Sequence, residues 1–251
     1  VDNYAIFFKV LFLGIAILVI LASTDYVSKF KRFQGEYYAL ILLSCLGMML
    51  MAATTELISL FLSLELVNLS LYCLVGFLKD NRSTEASLKY LLLSSVASAV
   101  LLFGMALVFG FTGKTQLAEI ATAIQARFLP GAAVRPALML GIILMLAGFG
   151  FKIAMVPLHM WVPDVYEGAP TPVTAYLSVG SKAAGFAIIL RVFISAFSLH
   201  AAAPQTGAGS ILNSISNDWG MIFAILAAIT MTVGNIIAIQ QDNVKRMLGY
   251  S

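Results

Sequence analysis

Residues 148–186 read GFGFKIAMVPLHMWVPDVYEGAPTPVTAYLSVGSKAAGF, and this stretch decides the fold of the chain. Two apolar segments flank a short turn that is marked by prolines and acidic residues. Each apolar segment holds one lysine well inside it, Lys152 in the first and Lys182 in the second. A charged side chain deep in an apolar span is costly and therefore rare, and it usually serves a function. The stretch predicts two membrane helices whose lysines carry protons.

The composition of the whole chain indicates a membrane protein. Of its 251 residues, 61% are hydrophobic and only 11% are charged, whereas a soluble domain carries about 25% charged residues. We therefore expect an all-α, polytopic bundle of membrane helices. This composition disfavours a soluble helical bundle.

Seven segments are long and apolar enough to cross a bilayer, since a membrane helix needs about 20 mostly apolar residues. The predicted spans are Tyr4–Tyr26, Glu36–Ala52, Leu57–Leu78, Glu85–Phe111, Pro136 to about Val165, Pro172–Phe197 and Trp219–Ile239. The segment Thr115–Phe128 is amphipathic and too short and polar to span, so we expect it at a membrane surface.

No residue pattern indicates a redox centre, a metal site or a nucleotide site in this chain. Cys45 and Cys73 lie in apolar spans without a CxxC pair and are typical of small core residues. His159 and His200 are too few and too far apart for a convincing metal or haem pair. We expect no bound cofactor, no metal and no nucleic-acid partner.

The basic residues of the loops predict the orientation of the chain, because cytoplasmic loops are enriched in lysine and arginine. One side is predicted to hold Lys29, Lys31, Arg32, Lys79, Arg82, Lys245 and Arg246, and the other Lys114, Arg127 and Arg135. The first side should be cytoplasmic. That orientation also places the acidic turn Asp164–Gly168 on the cytoplasmic side.

Three charges fall near the middle of their spans: Glu65, Lys152 and Lys182. Asn68 and Tyr72 follow Glu65 at helical spacing and share its face. Three such charges on three helices predict one polar layer across the bundle. Burial favours the neutral form of a lysine and a nearby carboxylate favours its charged form, so movement of Glu65 relative to Lys152 would switch a proton on or off.

Pro157 predicts a break in the fifth span beside Lys152. It has no N–H for the carbonyl of Ile153, and its ring clashes with that carbonyl in a regular helix. In a membrane, opened backbone persists only where it lines protein or water. A lysine beside a broken helix is typical of ion sites near the bilayer midplane.

Each of these charged residues also has a structural interpretation. Glu65 and Lys152 could form a buried ion pair that only stabilises packing. Lys182 has no acidic residue in its own span, and Ser178 and Gly185 beside it form a stripe that allows close helix approach. Lys89 could snorkel to the interface or act in a proton relay. His159 could act in the relay or be an ordinary interface residue.

Four stretches of the chain resemble the proton-pumping, antiporter-like membrane subunits of respiratory complex I. They are residues 151–186 of the opening stretch, SLFLSLELVNLSLYCLVGF at 59–77, EASLKYLLLSSVASAVLLFGMALVFG at 85–110 and MTVGNIIAIQQDNVKRMLGYS at 231–251. The run PDVYEGAPTPV at 163–173 is the most specific. It is similar to the subunit N branch, which comprises subunit N of bacterial NADH-quinone oxidoreductase and the cyanobacterial and chloroplast counterparts of that subunit.

This resemblance implies a fold of about fourteen helices with two inverted five-helix repeats. Residues 36–197 would form the first repeat and residues 219–251 would open the second, so that residues 1–251 would be one transmembrane domain of a longer subunit. The resemblance also implies that Glu65, Lys152 and Lys182 translocate protons, with Lys89 as a further relay lysine. Flavin and iron–sulfur clusters would lie in partner subunits.

The sequence thus indicates a translocase subunit of a complex I-type NADH or ferredoxin:quinone oxidoreductase, without a redox centre of its own. Its partners would be other membrane subunits and the lipid bilayer, in a bacterial inner membrane or a thylakoid or other energy-coupling membrane. One alternative is a subunit of a multi-subunit cation/proton antiporter, which shares the Glu–Lys–Lys pattern. Another is a structural membrane spacer whose charged row only stabilises packing.

Overall fold

The computed structural model of the protein describes residues 2–28, 33–127, 136–197 and 209–250. Within these ranges, seven helices are long and apolar enough to cross a membrane. The helices are α1 (Asn3–Val27), α2 (Gln34–Ala53), α3 (Leu57–Val75), α4 (Asn81–Thr112), α5 (Leu117–Arg127), α6 (Pro136–Ile153), α7 (Val162–Gly168), α8 (Thr171–Tyr176), α9 (Lys182–Phe197), α10 (Gly209–Ile239) and α11 (Val244–Tyr250). A π-helical turn, Leu177–Ser181, joins α8 to α9 into one continuous span. The predicted all-α, polytopic bundle is confirmed.

The predicted spans are all present, and some begin earlier than the apolar pattern indicates. Helix α4 begins at Asn81 because the side chain of Asp80 accepts a hydrogen bond from the backbone N–H of Ser83 at 2.7 Å, which is the usual N-cap arrangement. Helix α10 also begins before its predicted start, at Gly209 rather than at Trp219. The short amphipathic helix is α5, and its predicted last residue, Phe128, lies outside the described ranges.

The fifth span is broken as predicted, but the acidic segment after the break is not a turn. Helix α6 ends at Ile153, one residue after Lys152. Residues Val162–Gly168 then form helix α7, so the predicted turn at Asp164–Gly168 is helical. Pro163 in the first turn favours a helix start, because its missing N–H would have no helical partner there. Asp164 in the same turn interacts favourably with the positive end of the helix dipole.

Ion pairs place three of the predicted cytoplasmic segments together. Glu167 of α7 pairs with Arg82 at the start of α4 and with Arg246 of α11. The turn between α2 and α3 contacts the loop after α4 through a bridge between Glu56 and Gln116. The loops therefore group as their basic residues predict. Lys29, Lys31, Arg32 and Arg135 lie outside the described ranges.

Small residues bring the helices that carry the charged residues close together. Helix α4 packs along α6, α3 packs along α2, and α6 also packs against α9. At the crossing of α4 and α6, a Cβ on Gly104 would lie only 2.7 Å from the carbonyl oxygen of Gly141. Because lipid offers no hydrophobic drive to associate helices, such close approach through glycine supplies the packing contacts.

Candidate proton site

The ammonium group of Lys152 lies inside the protein, where only 2% of the residue is exposed. Its Nζ donates a hydrogen bond of 2.6 Å to Oδ1 of Asn68 on α3. Lys152 also lies in the last turn of α6, where the negative end of the helix dipole favours a positive charge. Because the fifth span breaks just after Lys152, the negative end of the α6 dipole lies beside the buried ammonium group and stabilises its positive charge.

Glu65 is joined to Lys152 through Asn68 rather than by direct contact. The amide Nδ2 of Asn68 donates to Oε1 of Glu65 at 3.3 Å, and the hydroxyl of Ser98 donates to the same oxygen at 2.5 Å. Among the described residues, no ion pair within 4 Å joins Glu65 and Lys152. The neutral amide separates the two charges while it bonds to both. A small cavity beside Lys152 is lined by Asn68, Ser98 and the buried Ser94.

The opened backbone after Lys152 is satisfied by protein groups. The carbonyl of Phe151 accepts a hydrogen bond from the indole N–H of Trp161 at 3.0 Å. The N–H of Val156 donates to the hydroxyl of Thr230 on α10 at 3.2 Å, and the N–H of Met155 donates to the carbonyl of Gly150 at 2.9 Å. Irregular backbone at membrane depth requires such partners. Pro157 itself lies in the turns after the break.

Lys182 is half-buried, and the structure gives it an aromatic neighbour instead of an anion. Its Nζ lies over the ring of Tyr166 on α7, 5.7 Å from the ring centroid, within the range of a cation–π interaction. It makes no hydrogen bond or ion pair with the residues that the structure describes. The π-helical turn Leu177–Ser181 ends at the residue before Lys182. Such turns change the direction of side chains and occur frequently at functional sites.

Gly185 allows α9, which carries Lys182, to pack closely against α6, which carries Lys152. The small residues on either side of Lys182 predict this contact. A Cβ at position 185 would lie 2.7 Å from Cγ2 of Ile153 and 3.3 Å from Cγ of Lys152. Ser178, the other residue of the stripe, bonds to the carbonyl of Ala175 and is not in this contact. The π-helical turn shifts the spacing between Ser178 and Lys182, so only Gly185 remains on the packed face.

The two candidate relay residues do not contact the other three. Lys89 pairs with Glu85 at 2.8 Å and with Asp164 at 2.9 Å, at the end of the bundle that the loop charges predict to be cytoplasmic. His159 lies after the helix break, with its ring 5.8 Å from that of Tyr250. No contact joins Lys89 or His159 to Glu65, Lys152 or Lys182 within the described ranges. A direct relay role for either residue therefore stays a prediction.

A group of charged side chains at the same end of the bundle connects α4, α7 and α11. Asp164 and Glu167 of α7 both bond to Arg246, at 3.0 and 2.8 Å. Burial alone would raise the pKa of Asp164, but Lys89 and Arg246 beside it hold that pKa below its ordinary value. We call Arg82, Lys89, Asp164, Glu167 and Arg246 the α7 charge cluster. The sequence does not predict these pairs, because they join helices that are distant along the chain.

Two features of the site go beyond what the sequence predicts. The sequence places Asn68 only on the face of Glu65, whereas in the fold it is the link between Glu65 and Lys152. The feature of the sequence that points to Asn68 is its position three residues after Glu65, on the same face of the helix. The π-helical turn before Lys182 leaves no signal in the apolar pattern, because a single inserted residue leaves a span long and apolar.

Comparison with known proteins identifies the family. A family described as "NADH:quinone oxidoreductase/Mrp antiporter, TM" matches residues 54–251. The NADH-quinone oxidoreductase subunit N of Dehalococcoides mccartyi is 53% identical over 253 residues, which cover 100% of this chain and 49% of that protein. The subunit N of Trichlorobacter lovleyi is 49% identical, with 100% and 48% covered. The chain therefore spans about half the length of the curated relatives it matches.

Solved structures agree with these sequence matches. A chain of respiratory complex I from Thermus thermophilus, solved with bound aureothin, has a TM-score of 0.76 at 35% identity, covering 100% of this chain and 48% of that one. A chain of the membrane-bound sulfane sulfur reductase, an archaeal respiratory membrane complex, has a TM-score of 0.73 at 28% identity, covering 97% and 46%. With seven apolar helices in the part of the chain that the structure describes, this chain is an integral, multi-pass membrane protein of the NADH:quinone oxidoreductase/Mrp antiporter transmembrane family.

Proposed function

We propose that this chain translocates protons as a subunit N-like membrane component of a complex I-type oxidoreductase. The observation that carries the proposal is the buried Lys152, held at the end of a broken helix and joined to Glu65 through the neutral amide of Asn68. A purely structural ion pair would gain most from direct contact between its charges. A separated pair leaves the ammonium group free to exchange its proton.

The proposed mechanism depends on how strongly the surroundings of each lysine stabilise its protonated form. Glu65, through Asn68, favours the protonated form of Lys152, and burial opposes it. When Glu65 moves away or is neutralised, Lys152 releases its proton. Lys182 has an aromatic face near its ammonium group and no carboxylate, so it accepts a proton and holds it less firmly than a paired lysine. Proton transfer from Lys152 to Lys182 would be one step of the crossing.

The proposal assigns the redox chemistry to partner subunits. Electrons would pass from NADH or ferredoxin to quinone through flavin and iron–sulfur clusters elsewhere in the complex, and this chain would move protons in response. The names of the bacterial relatives support this assignment and a location in the bacterial inner membrane. We further propose that residues 36–197 correspond to one inverted repeat and that residues 219–251 begin another.

A cation/proton antiporter subunit is the second candidate, because the matching family includes Mrp antiporters. The relatives that match over the whole chain are named as subunits of a quinone oxidoreductase, which favours the first proposal. The two candidates differ in their coupling. Transport by an oxidoreductase subunit requires quinone reduction, whereas an antiporter exchanges protons for Na⁺ or K⁺ without it.

The substitution Lys182→Met in the assembled complex tests the proposal. We expect the complex to assemble while both proton transport and quinone reduction fall, because coupled steps slow together. Glu65→Gln should behave in the same way. Wild-type rates of both activities in an intact complex would exclude a pumping role. Loss of assembly in both variants would instead indicate the structural spacer.

A further inference from the structure

We call Lys152, Asn68, Glu65 and Ser98 the Lys152 cluster. Four buried hydroxyl groups without a hydrogen-bond partner of normal geometry lie between this cluster and Lys182. Three are those of Tyr72, Tyr90 and Ser181, and the fourth is that of Tyr166. None of these residues is more than 5% exposed. Buried hydroxyls almost always have a partner, either protein or ordered water. Four exceptions in one region require an explanation.

These hydroxyls follow one another from one lysine to the other. Tyr72 lies on the face of α3 that carries Glu65 and Asn68, and its hydroxyl is close to that of Ser94 in the wall of the cavity beside Lys152. The rings of Tyr72 and Tyr90 meet edge to face, with centroids 4.9 Å apart. The series of hydroxyl groups thus begins at the small cavity beside Lys152.

The second half of the series leads to Lys182. The hydroxyl of Tyr90 is close to that of Ser181, the last residue of the π-helical turn, and it also interacts electrostatically with Tyr166. The ring of Tyr166 is the one that lies below Nζ of Lys182. Trp161 stacks on Tyr90 with ring planes 10° apart and a centroid distance of 4.7 Å, which fixes the position of that ring.

We propose that the hydroxyls of Tyr72, Tyr90 and Ser181, bridged by bound water, form the proton path from the Lys152 cluster to Lys182, an inference that rests on the proposed function. These hydroxyls form no direct hydrogen bond of normal geometry with one another, and a buried water bonds to two or more such polar groups. The ordered aromatic rings would hold the hydroxyls in line while the waters complete the chain.

The transfer conserves atoms and electrons. It starts with Lys152 as an ammonium group and Lys182 as a neutral amine. One N–H bond of Lys152 breaks, each water and hydroxyl along the path takes up a proton on one side and releases one on the other, and a new N–H bond forms on Lys182. No electron moves, and the path is restored when the hydroxyls rotate back.

The test removes one hydroxyl and leaves the ring. Tyr90→Phe in the assembled complex, reconstituted into phospholipid vesicles, should lower the rate of proton translocation by about tenfold, because the proton loses one carrier. The matched control is Tyr176→Phe. Tyr176 is equally buried, but its hydroxyl is bonded to Ser44 at 2.9 Å and to the carbonyl of Ile41 at 3.3 Å. The control should transport protons at the wild-type rate.

A second readout separates proton transfer from stability. In Tyr90→Phe the slowed transfer should limit the overall rate, so the ratio of rates in H₂O and D₂O should rise, which a structural defect alone would not produce. If Tyr90→Phe fails to assemble, Ser181→Ala removes a smaller group from the same path and should show the same loss. Wild-type transport in the assembled variants would overturn the proposed path.

Lys182→Met, measured beside these variants, separates the two proposals. If Lys182→Met blocks transport and Tyr90→Phe does not, the path is wrong and the proposed function stands. If Lys182→Met transports protons normally, the proposed function fails, and the path fails with it. If both variants are impaired while Tyr176→Phe is normal, both proposals are supported.

Discussion

At the scale of single residues, Asn68 is the side chain on which the chemistry of Lys152 depends. It is 1% exposed, and its two amide atoms bond to opposite charges. As a neutral group it accepts from the lysine without fixing a proton there, which a carboxylate at the same position would do. We therefore propose that Asn68 sets how readily Lys152 exchanges its proton.

The substitution Asn68→Leu tests this role by removing both hydrogen bonds while keeping the number and branching of the side-chain heavy atoms. A buried polar group that loses its partner costs about 1–3 kcal/mol, and more when it is charged. We expect a lower melting temperature of the complex and a loss of proton transport. Ser63→Ala on the same helix is the control, because the Ser63 hydroxyl bonds only to the carbonyl of Ser59 among the residues that the structure describes.

Asn68→Asp adds a negative charge beside Lys152, whereas Asn68→Leu removes the polar group. A carboxylate in direct contact with Lys152 favours the ammonium form, so we expect the complex to stay folded while proton transport falls. Proton uptake by vesicles and thermal unfolding of the purified complex measure the two effects. Wild-type transport in Asn68→Asp would show that the proton affinity of Lys152 does not control the rate.

Much of the site could be predicted at this scale. Charges are so unfavourable in apolar spans that Glu65, Lys152 and Lys182 stand out in the sequence. The link through Asn68 could not be predicted, because it depends on the distance between α3 and α6. That distance is set by packing among several helices, which the pattern of a single helix does not report.

At the scale of the elements, the contact between α9 and α6 decides how near the two lysines lie. Gly185 allows this contact. We expect Gly185→Ala to push α9 away from α6, since overpacking a close contact typically costs about 1–3 kcal/mol. Proton transport should fall more than assembly does. Gly110→Ala is the control, because a Cβ there meets no atom within 4 Å.

Equal transport in Gly185→Ala and Gly110→Ala would contradict this account of the helix contact. The melting temperatures of the two variants show whether the added methyl group is accommodated without strain. A lower melting temperature with wild-type transport would assign Gly185 a packing role only.

The helices also show which parts of the fold the sequence pattern is sufficient to predict. Length and apolarity predict every span, because the bilayer imposes one length on all of them. They do not predict α7, since a short helix has too few residues to show a period. Nor do they predict the π-helical turn before Lys182, which changes the direction of one side chain and leaves the apolar pattern intact.

At the scale of the whole molecule, the α7 charge cluster holds α11 and α7 together. The pKa of Asp164 is below its ordinary value of 3.8, so its ion pairs stabilise the protein at pH values above 3.8. That stabilisation is lost only as the pH falls through the lowered value. The cluster should therefore remain closed over the physiological range of pH.

Asp164→Asn should weaken the cluster at neutral pH rather than open it, because the pairs of Glu167 with Arg82 and Arg246 remain. Partly exposed pairs contribute about 0.2–1 kcal/mol each, so amide hydrogens of α11 should exchange up to about fivefold faster in the variant. The difference should disappear in strong acid, where the wild-type carboxyl is also neutral. Glu85→Gln is the control, since Lys89 is the one ion-pair partner of Glu85 within the described ranges. Equal exchange in Asp164→Asn and wild type at pH 7 would show that the cluster does not hold α11.

The substitution Lys152→Arg, with protons counted per quinone reduced, tests the central claim most directly. Arginine keeps the positive charge and the ability to donate to Asn68, but it does not release a proton in a protein. If Lys152 carries protons, the assembled variant should lose proton transport although its buried charge is retained. If Lys152 only stabilises packing, the assembled variant should pump as many protons per quinone as the wild type, and that result would contradict the account.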